Sequence, residues 1–236
     1  MRLDSETKTE EVSALLVRLC AFCFPGGEGA ARRVRGVRTT EKGEMRMSPE
    51  ARWVPFTAEQ FIDATRSNFC WEARLDPGKI ASPTITDAYE KGRGRLVVKV
   101  GGVLPVQKIT GPDADRGELQ RYLGSIALCP AILLNHATLE WNCAGPLALR
   151  VCDREDKSGI SVDISIGEDG RPMASRADRP RVVGKKAVLT PWMGSCAEFR
   201  EWEGLRVADK LEVTWHLAEG SFVYYRSEIT SLEAVR

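Results

Sequence analysis

Residues 69–75 read Phe-Cys-Trp-Glu-Ala-Arg-Leu, and apolar side chains occupy every second position of this segment. A period of two predicts a β-strand with one buried face. The same alternation returns in segments such as 96–100, 160–166 and 211–217, which gives about eight to eleven strands in all. Short turn signals, for example Asp169-Gly170, separate these segments, so successive strands are expected to pair antiparallel.

Three segments are predicted to be helices. In residues 9–24, the apolar side chains recur on one helical face. Thr57-Ala58-Glu59-Gln60 has the pattern of a capping box, which predicts a helix that continues to about residue 67. A second capping pattern at residues 115–118 predicts a helix that runs to residue 126.

The predicted fold is therefore α+β, a large curved antiparallel sheet that forms an open half-barrel, with about three helices packed on it. Gly101-Gly102 suggests a bend in the sheet, where residues without a Cβ are needed. One domain is expected over residues 1–236, with the helix 9–24 packed on or beside the sheet and residues 1–8 disordered. The polar segment 171–186 is predicted to be mobile, and the basic stretch 32–38 to be an exposed edge strand.

Composition limits the classes of partner. The chain has 34 basic and 33 acidic residues, a formal net charge of +1, so no overall field holds nucleic acid or an anionic membrane. The seven cysteines are odd in number and scattered, which favours reduced thiols. Cys20 and Cys23 form a C-x-x-C pair but have no second pair or suitably spaced histidines, so no metal site and no cofactor are predicted.

The N-terminal flank is mostly acidic, unlike the basic start of a secretory signal. The apolar run from Val12 to Phe24 is interrupted by Arg18 and is too short to cross a bilayer. We therefore expect a cytoplasmic protein without an integral membrane segment. The sequence does not predict an oligomeric state.

Catalytic candidates are few. His216 lies between two apolar residues, so it faces either solvent or a cavity on the far side of the sheet. Asp87 and Glu140 are carboxylates in mid-strand that can act as acid and base if they share a pocket. Each has an ordinary alternative as an exposed histidine or as an ion-pairing carboxylate.

Aromatic residues lie in or beside many predicted strands. Trp71, Trp141 and Trp215 are each predicted on an apolar strand face. Large rings on a curved sheet either fill a core or line an apolar cavity. If they line a cavity, the ligand-binding residues are predicted to be Trp71, Tyr89, Trp141, Trp192, Arg200, Trp215, Tyr225 and Arg226.

Several motifs resemble, in order, those of a bacterial family known only as a domain of unknown function. The segments that carry the resemblance are 43–46, Trp53-Val54-Pro55-Phe56-Thr57-Ala58-Glu59-Gln60, 69–73, 87–89, 117–123, 139–141, Thr190-Pro191-Trp192-Met193-Gly194, 199–200, 212–215 and 225–226. At the level of fold, this family is similar to the half-barrel carriers of outer-membrane lipoproteins, which hold acyl chains. The resemblance implies helices over the concave face of the sheet, and no activity.

Three hypotheses follow. The first is a module that binds an apolar or amphipathic small molecule, with Arg200 or Arg226 meeting its polar head. The second is a cofactor-free cyclase, isomerase or hydrolase acting on such a molecule. The third is a structural or partner-binding protein with a solid core. A purely apolar pocket would favour the first, and a titratable residue buried beside an arginine would favour the second.

Overall fold

The computed structural model describes residues 2–76, 78, 82–101, 104–184 and 186–236, with side chains from residue 9 onward. The helices are α1 (Arg2–Cys23), α2 (Glu28–Ala31), α3 (Pro112–Leu123), which continues into a 3₁₀ turn (Gly124–Ala127), and α4 (Ile132–Asn135). The strands are β1 (Gly36–Met45), β2 (Val54–Asp63), β3 (Phe69–Leu75), β4 (Thr84–Glu90), β5 (Arg93–Val100), β6 (Leu104–Thr110), β7 (Leu139–Gly145), β8 (Ala148–Asp153), β9 (Ser161–Ile166), β10 (Pro172–Val183), β11 (Lys186–Trp202), β12 (Leu205–Leu217) and β13 (Gly220–Val235).

All thirteen strands described belong to one sheet, in the order β6-β5-β4-β3-β2-β1-β13-β12-β11-β10-β9-β8-β7. Strands that follow one another along the chain are neighbours in the sheet, except β6 and β7, which form its two edges; β1 pairs with β13 and so joins the two meanders. Every described pair is antiparallel. The prediction of a large, open antiparallel sheet is confirmed, with more strands than expected.

The predicted helix at residues 57–67 is wrong, because β2 occupies most of that segment. Phe56, Ala58, Gln60 and Ile62 are buried, while the residues between them are more exposed. This period of two lets β2 pair with β1 and β3 along its length. Strand pairing therefore outweighs the local capping pattern that suggested a helix.

Two further predictions about the sheet are wrong. β1 pairs on both sides, so the basic stretch leads into a central strand and not into an exposed edge strand. A Cβ on Gly43 would lie 2.1 Å from the Arg226 carbonyl oxygen, so glycine is needed there for close approach. Most of segment 171–186 is ordered as β10, which pairs with β9 and β11.

Two long helices contribute to one apolar core. α1 packs against β7, β8 and β12, and α3 packs against β4, β5 and β10. α1 begins at Arg2, earlier than expected, and the disorder of residues 1–8 stays a prediction. The C-x-x-C cysteines are free thiols at the end of α1, where Cys23 is buried in the core, as the structural interpretation expects.

Candidate functional site

The concave side of the sheet encloses a cavity of about 580 Å³ beside α3. Its walls come from strands that are far apart in the sheet, since β5, β6, β10, β11, β12 and β13 all contribute lining residues. The sheet must therefore curl around the cavity, as a half-barrel does. The volume lies within the range typical of small-molecule sites.

Four charged side chains meet where α3 faces the cavity. Arg121 of α3 forms an ion pair with Asp87 of β4. Arg179 of β10 donates a hydrogen bond to the Gly117 carbonyl oxygen at 2.7 Å, and its Nη2 lies 3.8 Å from Glu118 Oε2. Asp87 and Glu118 are only 6% and 7% exposed. Buried charges of this kind are rare unless they are paired.

The surroundings of Glu118 favour its protonated form. Burial raises the pKa of Glu118 well above its usual range; the negative charge of Asp87 and a hydrogen bond to Asp87 raise it further, while Arg179 opposes the shift. Burial lowers the pKa of Arg121, but the carboxylates of Asp87 and Glu118 more than offset this and raise it overall. Glu118 thus keeps its proton to higher pH than an ordinary glutamate and can share it with Asp87.

A first aromatic group lines one side of the cavity. Tyr225 stacks on Phe56 with ring centroids 5.2 Å apart, and Trp71 meets Phe56 edge-on at 5.8 Å. The Trp71 indole N–H donates to Glu41, which is buried, and the Arg121 guanidinium lies 5.0 Å from the Trp71 ring centroid. The rings hold the charged groups in fixed positions against an apolar wall.

A second aromatic group lines the other side. Trp215 stacks on Tyr224 at 5.9 Å, and the Trp192 indole N–H donates to the Tyr224 hydroxyl at 3.2 Å. The Arg179 guanidinium lies 4.7 Å from the Trp192 ring centroid. Each guanidinium of the cluster therefore rests on a ring as well as beside a carboxyl group.

The structure brings five of the predicted site residues to the cavity and leaves six outside it. The five that line the cavity are Trp71, Asp87, Trp192, Trp215 and Tyr225. Asp87 is the one predicted catalytic residue among them. Asp87 shares the cavity with Glu118, whereas the other two catalytic candidates, His216 and Glu140, do not line it.

The six others lie elsewhere. His216 is exposed and hydrogen-bonds Ser221 at 2.9 Å, and Glu140 is exposed with Arg154 at 3.8 Å. Tyr89 is buried in the core, and Trp141 packs against the core. Arg200 pairs with Asp209 at 2.7 Å, and Arg226 pairs with Glu212 at 3.0 Å.

Sequence reasoning missed Glu118, Arg121, Arg179 and Glu41. Glu118 and Arg121 are three residues apart on a predicted helix, so they share a face with the apolar residues that cover the sheet. Polar side chains on that face could have indicated a buried polar site. Arg179 lay in the segment predicted to be mobile, and nothing in the sequence placed it beside α3.

A second polar cluster lies outside the cavity. Ser67 Oγ donates to Asp153 Oδ2 at 2.5 Å, and His136 Nε2 lies 3.3 Å from Ser67 Oγ and 4.0 Å from Asp153 Oδ2. In a nucleophilic triad the serine bonds the histidine, and the carboxylate holds the other ring nitrogen. Here the serine bonds the carboxylate directly and the His136 side chain is 1% exposed, so the cluster ties loops together.

Among the described residues, no group of three or more histidine, cysteine or acidic side chains has the geometry of a metal site. None of the described helices has the length and hydropathy needed to span a membrane.

The sequence profile of a family described as "Family of unknown function (DUF6920)" matches residues 14–233. The chain belongs to the DUF6920 family. No protein with a curated description matches it. Two solved structures are similar to the DUF6920 chain. The LolA superfamily protein NE2245 from Nitrosomonas europaea is 11% identical, with a TM-score of 0.51 and coverage of 95% of this chain and 94% of that one. A DUF1329 family protein from Desulfovibrio piger is 9% identical, with a TM-score of 0.52 and coverage of 94% and 92%. At such identities the likeness concerns the fold alone, and it confirms the carrier-like half-barrel that the sequence resemblance implied.

Proposed function

We propose that this DUF6920 protein binds an amphipathic small molecule in the cavity beside α3. The apolar part of the guest would contact the two aromatic groups, and its polar head would meet the cluster of Asp87, Glu118, Arg121 and Arg179. The observation that carries the proposal is a paired but buried charge cluster facing an unfilled, largely apolar cavity. A chain selected only for stability gains little from such a cluster, since apolar residues of the same volume stabilise as well or better.

The charges of the cluster indicate the kind of head group. The guanidinium groups of Arg121 and Arg179 already face acidic side chains, and burial favours the neutral form of Glu118 by raising its pKa. An uncharged head therefore adds no unbalanced charge to the site. Buried Arg179 Nε has no hydrogen-bond acceptor, and Asp87 Oδ1 and Glu118 Oε2 have no donor beyond the proton they share. A hydroxyl group, which both donates and accepts, matches these needs.

The proposal predicts an order of affinity among chain-matched ligands. Dodecanol should bind about tenfold more tightly than dodecanoate or dodecylamine, because each of the latter introduces a buried charge. Trp71, Trp192 and Trp215 line the cavity, so a change in tryptophan fluorescence reports binding. Equal affinity for all three ligands would contradict the assignment of the head group, and no binding of any would contradict the proposed function.

Asp87→Asn provides the sharper test of the charge balance. Removing this carboxylate takes away the ion-pair partner of Arg121, so the affinity for dodecanoate should rise relative to the affinity for dodecanol. Glu140→Gln is the matched control, because Glu140 is exposed and outside the cavity. An unchanged order of affinity in Asp87→Asn would mean that the head group lies elsewhere.

A second candidate function is acid–base catalysis on the bound guest. The observation that favours it is the buried carboxyl pair Asp87 and Glu118 beside two arginines, since such pairs separate into acid and base. A carrier returns its guest unchanged, whereas an enzyme converts it. Asp87→Asn would then abolish conversion while retaining binding, as mass spectrometry of the recovered guest would show.

The cytoplasmic location expected from the sequence stays a prediction.

A further inference from the structure

The two hairpins that flank the cavity have an unusual distribution of charge. No acidic residue occurs between Glu90 and Asp113, a stretch with five basic residues that contains the β5–β6 hairpin. No acidic residue occurs between Asp178 and Glu198, a stretch with four basic residues that contains the β10–β11 turn. The near-neutral total of the chain conceals this local asymmetry.

The basic residues nearest the ends of these hairpins have no described acidic partner. Arg93 and Arg95, at the base of β5, pair with Asp115 and Glu90. In contrast, no ion pair with a carboxylate in the described ranges involves the residues nearer the tips, which are Lys99, Lys108, Arg181 and Lys186. Their charges are thus available to an external partner.

The same hairpins carry most of the exposed large apolar side chains. Nine such residues stand out in the described part of the chain, and six of them are Leu104, Val106, Val182, Val183, Val188 and Leu189. Leu104 at 67% and Leu189 at 55% exposure have no structural reason to be apolar. A concentration of exposed apolar residues marks an interaction surface.

Six strands of the sheet separate the two hairpins, yet both hairpins line one cavity. Val98 and Gln107 come from the first hairpin, and Val182 and Lys186 come from the second. The curl of the sheet therefore brings both hairpins to the wall of the same cavity. We call them the rim hairpins, defined as residues 96–101, 104–109, 180–184 and 186–189.

We propose that the rim hairpins dock on an anionic lipid bilayer, with the opening of the cavity facing the lipid. The lysines would contact acidic head groups, and the valines and leucines would enter the interface between head groups and acyl chains. A lipid surface fits better than an acidic protein, because it accepts exposed apolar and basic groups in any register. This proposal goes beyond ligand binding and depends on different residues.

Co-sedimentation with vesicles tests the proposal. The wild-type protein should bind vesicles of phosphatidylcholine with phosphatidylglycerol at low salt, bind far less to phosphatidylcholine alone, and dissociate as salt screens the charges. The triple variant Lys99→Glu, Lys108→Glu, Lys186→Glu should bind at least about 100-fold more weakly, because each basic residue contributes roughly fivefold. Leu104→Ser with Val106→Ser should also weaken binding. Lys157→Glu and Val17→Ser are matched controls on exposed sites outside the rim hairpins.

Either of two results would overturn the proposal: wild-type protein that ignores anionic vesicles at low salt, or a triple variant that binds like the wild type. If the triple variant does not fold, two other measurements test the proposal. They are the release of the wild-type protein from anionic vesicles at high salt and the vesicle binding of the Leu104→Ser, Val106→Ser variant. Val213→Trp, which places an indole in the cavity, should leave vesicle binding intact. This separates membrane docking from the function proposed for the cavity, since vesicle binding that depended on a phospholipid held in the cavity would be weakened in that variant.

Discussion

The regions under α1 and under α3 belong to one sheet and one apolar core, yet they are built differently. α1 directs Leu15, Leu19 and Cys23 into the core, and these side chains are almost completely buried. α3 directs Glu118 and Arg121 towards the sheet together with apolar residues, and a cavity remains beside them. The first region is packed for stability. The second keeps charged groups and open space, which indicates that it is shaped for a guest.

The largest effect on stability is expected in the packed region. Leu19→Ala should lower the free energy of unfolding by about 3 kcal/mol, because the removed side chain leaves a void that the core cannot fill. Denaturant unfolding measures this loss, and the affinity for dodecanol at permissive temperature should be unchanged. A loss below about 1 kcal/mol would mean that the region under α1 is loosely packed.

Substitution of two tryptophans, one in each region, compares the regions directly, since both side chains are half-buried. Trp141 packs against the core near α1, whereas Trp215 lines the cavity. Trp141→Ala should lower the free energy of unfolding by about 2 kcal/mol and leave ligand affinity unchanged. Trp215→Ala should destabilise less but weaken dodecanol binding about tenfold, through lost ring contact. The opposite pattern, measured by unfolding and by calorimetric titration, would reverse the roles of the two regions.

Protonation of Glu118 should make stability depend on pH. The folded protein keeps this proton to higher pH than the unfolded chain, whose glutamates titrate near about 4.3. Unfolding then releases a proton, so the free energy of unfolding falls as pH rises from that value through the raised pKa of Glu118. Glu118→Gln should remove this fall. Glu140→Gln, an exposed control, should show the same profile as the wild type.

The smallest effects are expected at the candidates outside the cavity. His216→Ala and Glu140→Gln should change the free energy of unfolding by less than about 0.5 kcal/mol and leave dodecanol affinity unchanged. Thermal melting and titration check both quantities. A clear loss of binding in His216→Ala would require a second site on the outer face of the sheet.

The contrast between the regions also explains what sequence could predict. Alternation in segments such as 69–75 predicted the strands, because a one-sided strand must bury every second residue. The capping pattern at Thr57 wrongly predicted a helix, since a pattern of local hydrogen bonding cannot reveal that β2 has partners on both sides. Trp71 and Asp87 were found from their strand positions. Arg179 was not, because only the curl of the sheet brings β10 to α3.

Native mass spectrometry of the purified protein incubated with dodecanol tests the cavity most directly, with Val213→Trp as the comparison. Val213 lines the cavity and is partly exposed, so an indole there should take up part of the space that the guest needs without disturbing the core. We predict a one-to-one adduct in the wild-type protein and a much weaker adduct in the folded variant. No adduct in the wild type, or equal adducts in both, would contradict a guest bound beside α3.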